Sequence, residues 1–156
     1  MLLLSNWIEC TLKDIITFKN GKKKPNIQGI YPVYGGNGIL AYANDYNLSK
    51  GIAVGRVGVY CGSVFYSDSE CWISDNAIQA VNTGLSDLKF DYYLLKSLNL
   101  NEYRIGTSQP LLTQEILNRI VVKCPDIIAQ KKIASILTSI DDKILQNNKV
   151  NCNLSA

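Results

Sequence analysis

Asp126, Asp141, Asp142 and Lys143 are the residues whose types first suggest catalysis, because a Pro125-Asp126 pair followed by acids and a lysine is the formal pattern of many nucleases. Their spacing argues against it. Both halves fall in one stretch without glycine or proline that reads as a single helix, about fifteen residues and hence more than about 20 Å apart. Carboxylates so separated cannot share a metal ion. The chain contains no histidine, which removes Ser-His and Cys-His nucleophile pairs and every histidine metal ligand. Ser74-Asp75-Asn76 matches one element of the serine β-lactamases, but their S-x-x-K and K-T-G elements are absent. Those three residues read instead as the organisers of a turn. "GIAVGRVG" is glycine-rich without the spacings that cradle phosphates or dinucleotides. Cys10, Cys61, Cys71, Cys124 and Cys152 show no C-x-x-C spacing, so they read as free, buried thiols and no metal site is expected.

What remains are donors, acceptors and rings, which suit recognition. Between residues 13 and 24, Lys13, Lys19, Lys22, Lys23 and Lys24 face only Asp14, a local basic patch in a chain whose net charge is only +3. Such a patch can neutralise phosphates or simply form a solvated loop. "YPVYGGNGILAY", residues 31–42, surrounds Asn37 with Gly35, Gly36 and Gly38 and flanks it with Tyr31, Tyr34 and Tyr42. That stretch reads as a tight hairpin or a binding loop, since glycine allows positive φ and close approach while tyrosine offers a flat ring with a polar tip.

The elements that must hold these residues follow from periodicity. At 156 residues, 47% hydrophobic and 19% charged, the chain is expected to form one core with an appended element. "WIECTLKDIITF" mixes a strand-like and a helical piece. A basic loop follows, broken by Gly21, Pro25 and Asn26. From 30 to 81, "IYPVY", "GILAY", "GIAVG", "VGVY", "GSVFY" and "CWISDNAIQAV" are short β-prone runs and predict a compact sheet region. "LKFDYYLLKSLNL" returns to helical spacing through Phe90, Tyr93, Leu94 and Leu98. "LLTQEILNRI" predicts a short helix with Thr113 as its N-cap, and "VVKCP" a last strand stopped by Pro125. Pro125 suits the first turn of the final helix. In that helix Ile133, Leu137, Ile140 and Ile144 alternate spacings of four and three, a coiled-coil seam continued by Asn147, Asn151 and Leu154. An amphipathic helix folded onto its own domain is the alternative. Residues 126–151 would make a rod of about 39 Å. The opening "MLLLSNWIEC" has too few apolar residues for a membrane span and no signal-peptide pattern, so a cytoplasmic protein without membrane association is expected.

Taken together, these stretches closely resemble the specificity subunits of type I restriction-modification systems. The resemblance rests on Trp7 and Leu12 followed by "NGKKKP", "YPVYGGNGILAY", "GIAVGRVGVYCGSVFY" leading into "CWISDNAIQAV", "IGTSQPLLTQEILNRIVVKCP" and "AQKKIASILTSIDDKILQNN", in the family's order. It implies an α+β fold: a sheet-rich target recognition domain with short helices, residues 1–125, and a long coiled-coil spacer and dimerisation helix, residues 126–156. It implies a non-catalytic DNA-reading subunit without cofactors, whose partners are double-stranded DNA and separate modification and restriction subunits. The catalytic (N/D)PP(Y/F) motif of amino-methyltransferases is absent. Family members usually carry two recognition domains and two helices, whereas this chain has one of each. The expectation is a half subunit that pairs as a homodimer through Ile133, Leu137, Ile140, Ile144 and Asn147 and reads a palindromic, interrupted target. Lys22, Lys23, Lys24 and Arg56 are then candidates for phosphate contact, and Asn26, Tyr34, Asn37, Tyr60 and Tyr66 for groove contact. Ser108 and Gln109 could bind a backbone or close a loop. The rival expectations are the recognition fragment of a fused restriction-methylation enzyme and a protein-interaction module.

Overall fold

The computed structural model describes residues 6–154, so the opening leucines and the last two residues lie outside the described part. The chain runs β1 (Ile8–Thr11), a helical turn α1 (Leu12–Ile15), β2 (Ile16–Asn20), β3 (Gln28–Gly35), β4 (Gly38–Ala43), β5 (Gly51–Gly55), β6 (Val64–Ser67), β7 (Trp72–Ile73) and β8 (Ala77–Asn82). Then come α2 (Leu88–Ser97), α3 (Gln114–Arg119), β9 (Val121–Cys124) and α4 (Ile127–Leu154). The α+β expectation is met, with the sheet region where the short β-prone runs placed it.

Three sheets form. An antiparallel sheet of order β2-β8-β5-β6 is central; β4-β3-β7 is a second sheet, with β3 and β7 parallel; β1 and β9 pair antiparallel. Side chains alternate across a strand, so one run feeds two cores. Ile52, Val54, Ile78 and Ala80 join Leu12, Phe90, Leu95, Leu117 and Ala134 in the main core, under the helices. Ala53 and Ala77, from the same two strands, join Leu48, Cys71, Ile73, Tyr34 and Phe65, under the second sheet. The central sheet is thus covered on both faces, and its loops emerge at the strand ends.

Helix boundaries follow from caps. Thr113 accepts from the Ile116 backbone N–H as expected, and Asp87 accepts from Phe90 N–H to start α2. Asp126 accepts from both Ile128 and Ala129 N–H, which makes it the cap of α4 and puts Pro125 one residue before it, not in the first turn. The helix continues to Leu154, 28 residues and so about 42 Å long. "VGVY" is not a strand: Gly58–Tyr60 form a 3-10 turn, closed by Cys61 N–H donating to the Gly58 carbonyl. Cys152 is exposed, unlike the buried Cys61, Cys71 and Cys124. Among the described residues, no helix is long and apolar enough to cross a membrane.

Two buried polar residues, invisible to apolar periodicity, tie the helices down. Gln130 accepts from Asp87 N–H and donates to the Pro125 carbonyl, fixing the start of α4 beside the start of α2. Asp91 is fully buried on α2; one carboxylate oxygen accepts from Ser86 Oγ at 2.7 Å and Asn82 Nδ2 at 3.0 Å, and the other has no partner. Burial pushes the Asp91 pKa up to about 6, with the nearby Asp87 charge adding to it, against the two hydrogen bonds. The folded chain therefore holds this proton more tightly than the unfolded chain does. The contribution is intact below about pH 4 and is lost as pH rises to about 6. Between about pH 4.5 and about pH 7.5 the protein should lose roughly 2 kcal/mol relative to Asp91→Asn in urea unfolding. Parallel stability curves for the two proteins would contradict this assignment.

Candidate nucleic-acid interface

Backbone contacts gather four loops at one end of the central sheet. The basic loop leaves β2 at Gly21, whose N–H donates to the Ala77 carbonyl, while Lys22 N–H donates to Ile73 and Trp72 Nε1 donates back to the Lys22 carbonyl. A side chain at Gly21 would stand 1.9 Å from the Ser74 carbonyl oxygen, so only glycine permits this approach. The loop is thereby fixed to the Ser74–Asn76 turn, where Ala77 N–H closes on Ser74 as the sequence suggested. The Asn76 carbonyl accepts from Arg56 N–H, linking that turn to the loop between β5 and β6.

This second loop is closed at its base. Gly55 N–H donates to Ser63 and Gly62 N–H donates back to Gly55, both at 2.8 Å. A Cβ on Gly55 would lie 2.3 Å from the Tyr60 carbonyl oxygen and 3.0 Å from that of Gly36. Gly55 is therefore where the β5–β6 loop meets the β3–β4 hairpin. At the hairpin tip, Gly36 packs among Asn76, Tyr60 and Val57. The fourth loop, residues 105–111, is joined on by Gly58 N–H donating to Pro110 and Leu112 N–H donating to Arg56.

The candidate residues sort by position. Lys22, Lys23, Lys24, Asn26, Asn37 and Tyr60 are exposed, and Arg56 is half-buried, on loops these contacts draw together. Among the described residues the one ion pair joins Arg119 and Glu115, so none of the four cations here has a carboxylate partner. Arg56 Nε is buried without a hydrogen-bond partner. Lys24 and Asn26 also border a surface cleft of about 320 Å³ with Ile27, Gln28 and Tyr42. Tyr34 differs: its ring packs on Phe65 at 6.4 Å in the second core, and burial pushes its phenol pKa up. Tyr66 also makes separate contacts, packing on the main core and on Tyr92, with Lys89 Nζ 3.7 Å above its ring. Ser108 and Gln109 line a groove of about 500 Å³ with Val57, Gly58, Val59, Pro110 and Leu111. Asn76 and Val59 also belong to the cluster; in the sequence Asn76 marks only a turn and Val59 lies in a β-prone run, so neither carries a signal of it.

This geometry has relatives. The family model for the type I restriction modification DNA specificity domain matches residues 4–154. The chain belongs to that family. It is 31% identical over 114 residues to the type I restriction enzyme EcoprrI specificity subunit of Escherichia coli, covering 72% of this chain and 28% of the relative. Its fold is similar to the type I restriction-modification S subunit of M. genitalium, with a TM-score of 0.81, 21% identity and coverage of 94% of this chain and 42% of that one. It is also similar to a chain solved in work on complex assembly and conformational transition of the type I R-M system, with a TM-score of 0.71, 17% identity and coverage of 92% and 40%. This member of the specificity-domain family thus spans less than half the length of these relatives.

Glycine substitutions separate the junction from the surface. Gly55→Ala drives a Cβ into backbone and should cost roughly 1–3 kcal/mol or more of stability, as overpacking does. At Gly36 the same addition meets only ordinary contacts at 3.7 Å, so Gly36→Ala should shift unfolding by less than about 0.5 kcal/mol. Denaturant titration of both variants checks the contrast, and equal losses would place the junction elsewhere.

Proposed function

We propose that this chain is a DNA-reading half subunit: residues 1–125 recognise one half of a split target, and residues 126–156 space and pair two copies. The observation that carries this is the convergence of Lys22–24, Arg56, Asn37 and Tyr60 on backbone-locked loops, with the cations free of acidic partners. Lysines there suit phosphates, and asparagine can pair two ways with adenine in the major groove. Locked loops favour readout because little ordering is left to do on binding. Tyr34 in this scheme supports the hairpin from within, and Tyr66 serves only at the margin. The chain performs no chemistry itself and delivers bound DNA to modification and restriction subunits, as the family relationship suggests.

The helix supports pairing in part of its length. Ile133 is half-buried against the chain's own core and Leu137 is half-buried, whereas Ile140 and Ile144 are 51% and 52% exposed and Asn147 is exposed as well. Ile136, one turn before Ile140, extends that open face. Two antiparallel copies of a rod of about 42 Å would hold their reading ends near one DNA turn apart, roughly 34–36 Å. The target is then palindromic and interrupted.

Two measurements bear on this. Replacing Lys22, Lys23 and Lys24 together by alanine should weaken binding to a duplex selected from a randomised pool and lower the salt slope by up to about 2.7, at about 0.9 per phosphate neutralised. An unchanged slope would remove the basic loop from the interface. By light scattering, the native chain should be a dimer and the Ile140→Asp, Ile144→Asp double variant a monomer. A monomer in both cases contradicts self-pairing through this face.

A further inference from the structure

Val59 is 81% exposed, yet it sits in a loop tethered at several points. The two hydrogen bonds between Gly55 and residues 62 and 63 close the loop, Gly58 N–H is held by Pro110, and Cys61 donates both its N–H to Gly58 and its thiol to Arg56. Asn101 Nδ2 further holds the Cys61 carbonyl at 2.9 Å. Gly58 takes φ +72 with nothing within 4 Å of an added Cβ, so glycine is needed there for the backbone direction alone. That direction sends Val59 outward, between the groove of Ser108, Gln109 and Pro110 and a second groove lined by Lys96 and Asn99–Glu102. A rigid loop that displays a valine to solvent contributes nothing to the core from that side chain.

We propose that Val59 is a specificity-determining residue that contacts the 5-methyl group of a thymine in the major groove. The proposal rests on the DNA-reading function above. Apolar side chains discriminate thymine through this methyl, which no other standard base carries there. Wedges that open base steps use longer side chains such as Phe, Leu, Ile or Met; a short β-branched side chain on a fixed loop reaches an edge instead. Its neighbours agree with that placement. Tyr60 follows it directly and Arg56 lies three residues before it, and the hairpin tip bearing Asn37 abuts Val57 and Tyr60.

The test uses the full chain and the half-site it selects from a randomised duplex pool. Each thymine is replaced in turn by deoxyuridine, which removes only the methyl, and affinities are measured for the native chain, Val59→Ala and Val59→Ile. The native chain should lose about fourfold at one position, the size expected for one buried methyl group. Val59→Ala should bind the unmodified duplex about as weakly and be insensitive to uracil there, while Val59→Ile keeps the sensitivity. Thermal unfolding of the variants should match the native chain, because the side chain is exposed. If Val59→Ala retains the native response, or no replacement weakens the native chain, the proposal is overturned while DNA reading stands. If no duplex is enriched at all, DNA reading itself fails and the proposal with it.

Discussion

Direct backbone-to-backbone contact at Gly21 and Gly55 is the constraint on which the rest of this molecule's surface depends. At each position a carbonyl oxygen occupies the space a Cβ would need, 1.9 Å away at Gly21 and 2.3 Å at Gly55. The Gly21 contact and the approach of Gly55 to the Gly36 carbonyl, 3.0 Å from an added Cβ, join separate strand ends into one continuous surface. The basic loop is held to the Ser74–Asn76 turn, that turn to Arg56, and Arg56 with Tyr60 to the hairpin tip at Gly36. A scaffold of this kind leaves the outward side chains free to vary, because the contacts that gather them are made by main chain.

Behind that surface the central sheet divides the apolar residues between two cores by simple alternation, and the helices close the larger one. Polar groups fix the arrangement where apolar packing alone would allow sliding. Gln130 joins the start of α4 to the start of α2, and Tyr93 Oη donates to Asp141 at 2.7 Å farther along. The first turns of α4 thus belong to the domain, and every residue from 139 to 154 is exposed. Ala134 is buried against the domain while Ile140 and Ile144 are exposed, so the anchoring stripe and the open apolar stripe of α4 lie on different sides of the helix.

Much of this was legible in the sequence, for identifiable reasons. Short β-prone runs between glycines marked the sheets, Thr113 announced α3, Pro125 closed β9, and a stretch without glycine or proline carrying a heptad-spaced seam marked α4. The basic loop and the Asn37 hairpin stood out because glycine, lysine and asparagine cluster there without offsetting acids. Three kinds of feature stayed hidden. Asp91 and Gln130 are polar residues in the interior, where burial follows from hydrogen bonds that periodicity does not encode. The 3-10 turn at Gly58–Tyr60 looked like a strand because valine and tyrosine favour β-structure, while a long-range bond to Pro110 decided its shape. Tyr34 and Tyr66 could not be told from surface tyrosines, since their inward packing depends on Phe65 and Tyr92 arriving from other elements.

Amide hydrogen exchange, with and without the duplex that the chain selects from a randomised pool, tests the central claim most directly. If the backbone-locked loops form the reading surface, protection on DNA binding should appear at residues 21–26, 36–38 and 56–60, with residues 88–97 of α2 unchanged. Protection confined to α2 or α4, with those three loops exchanging as in the free protein, would contradict it.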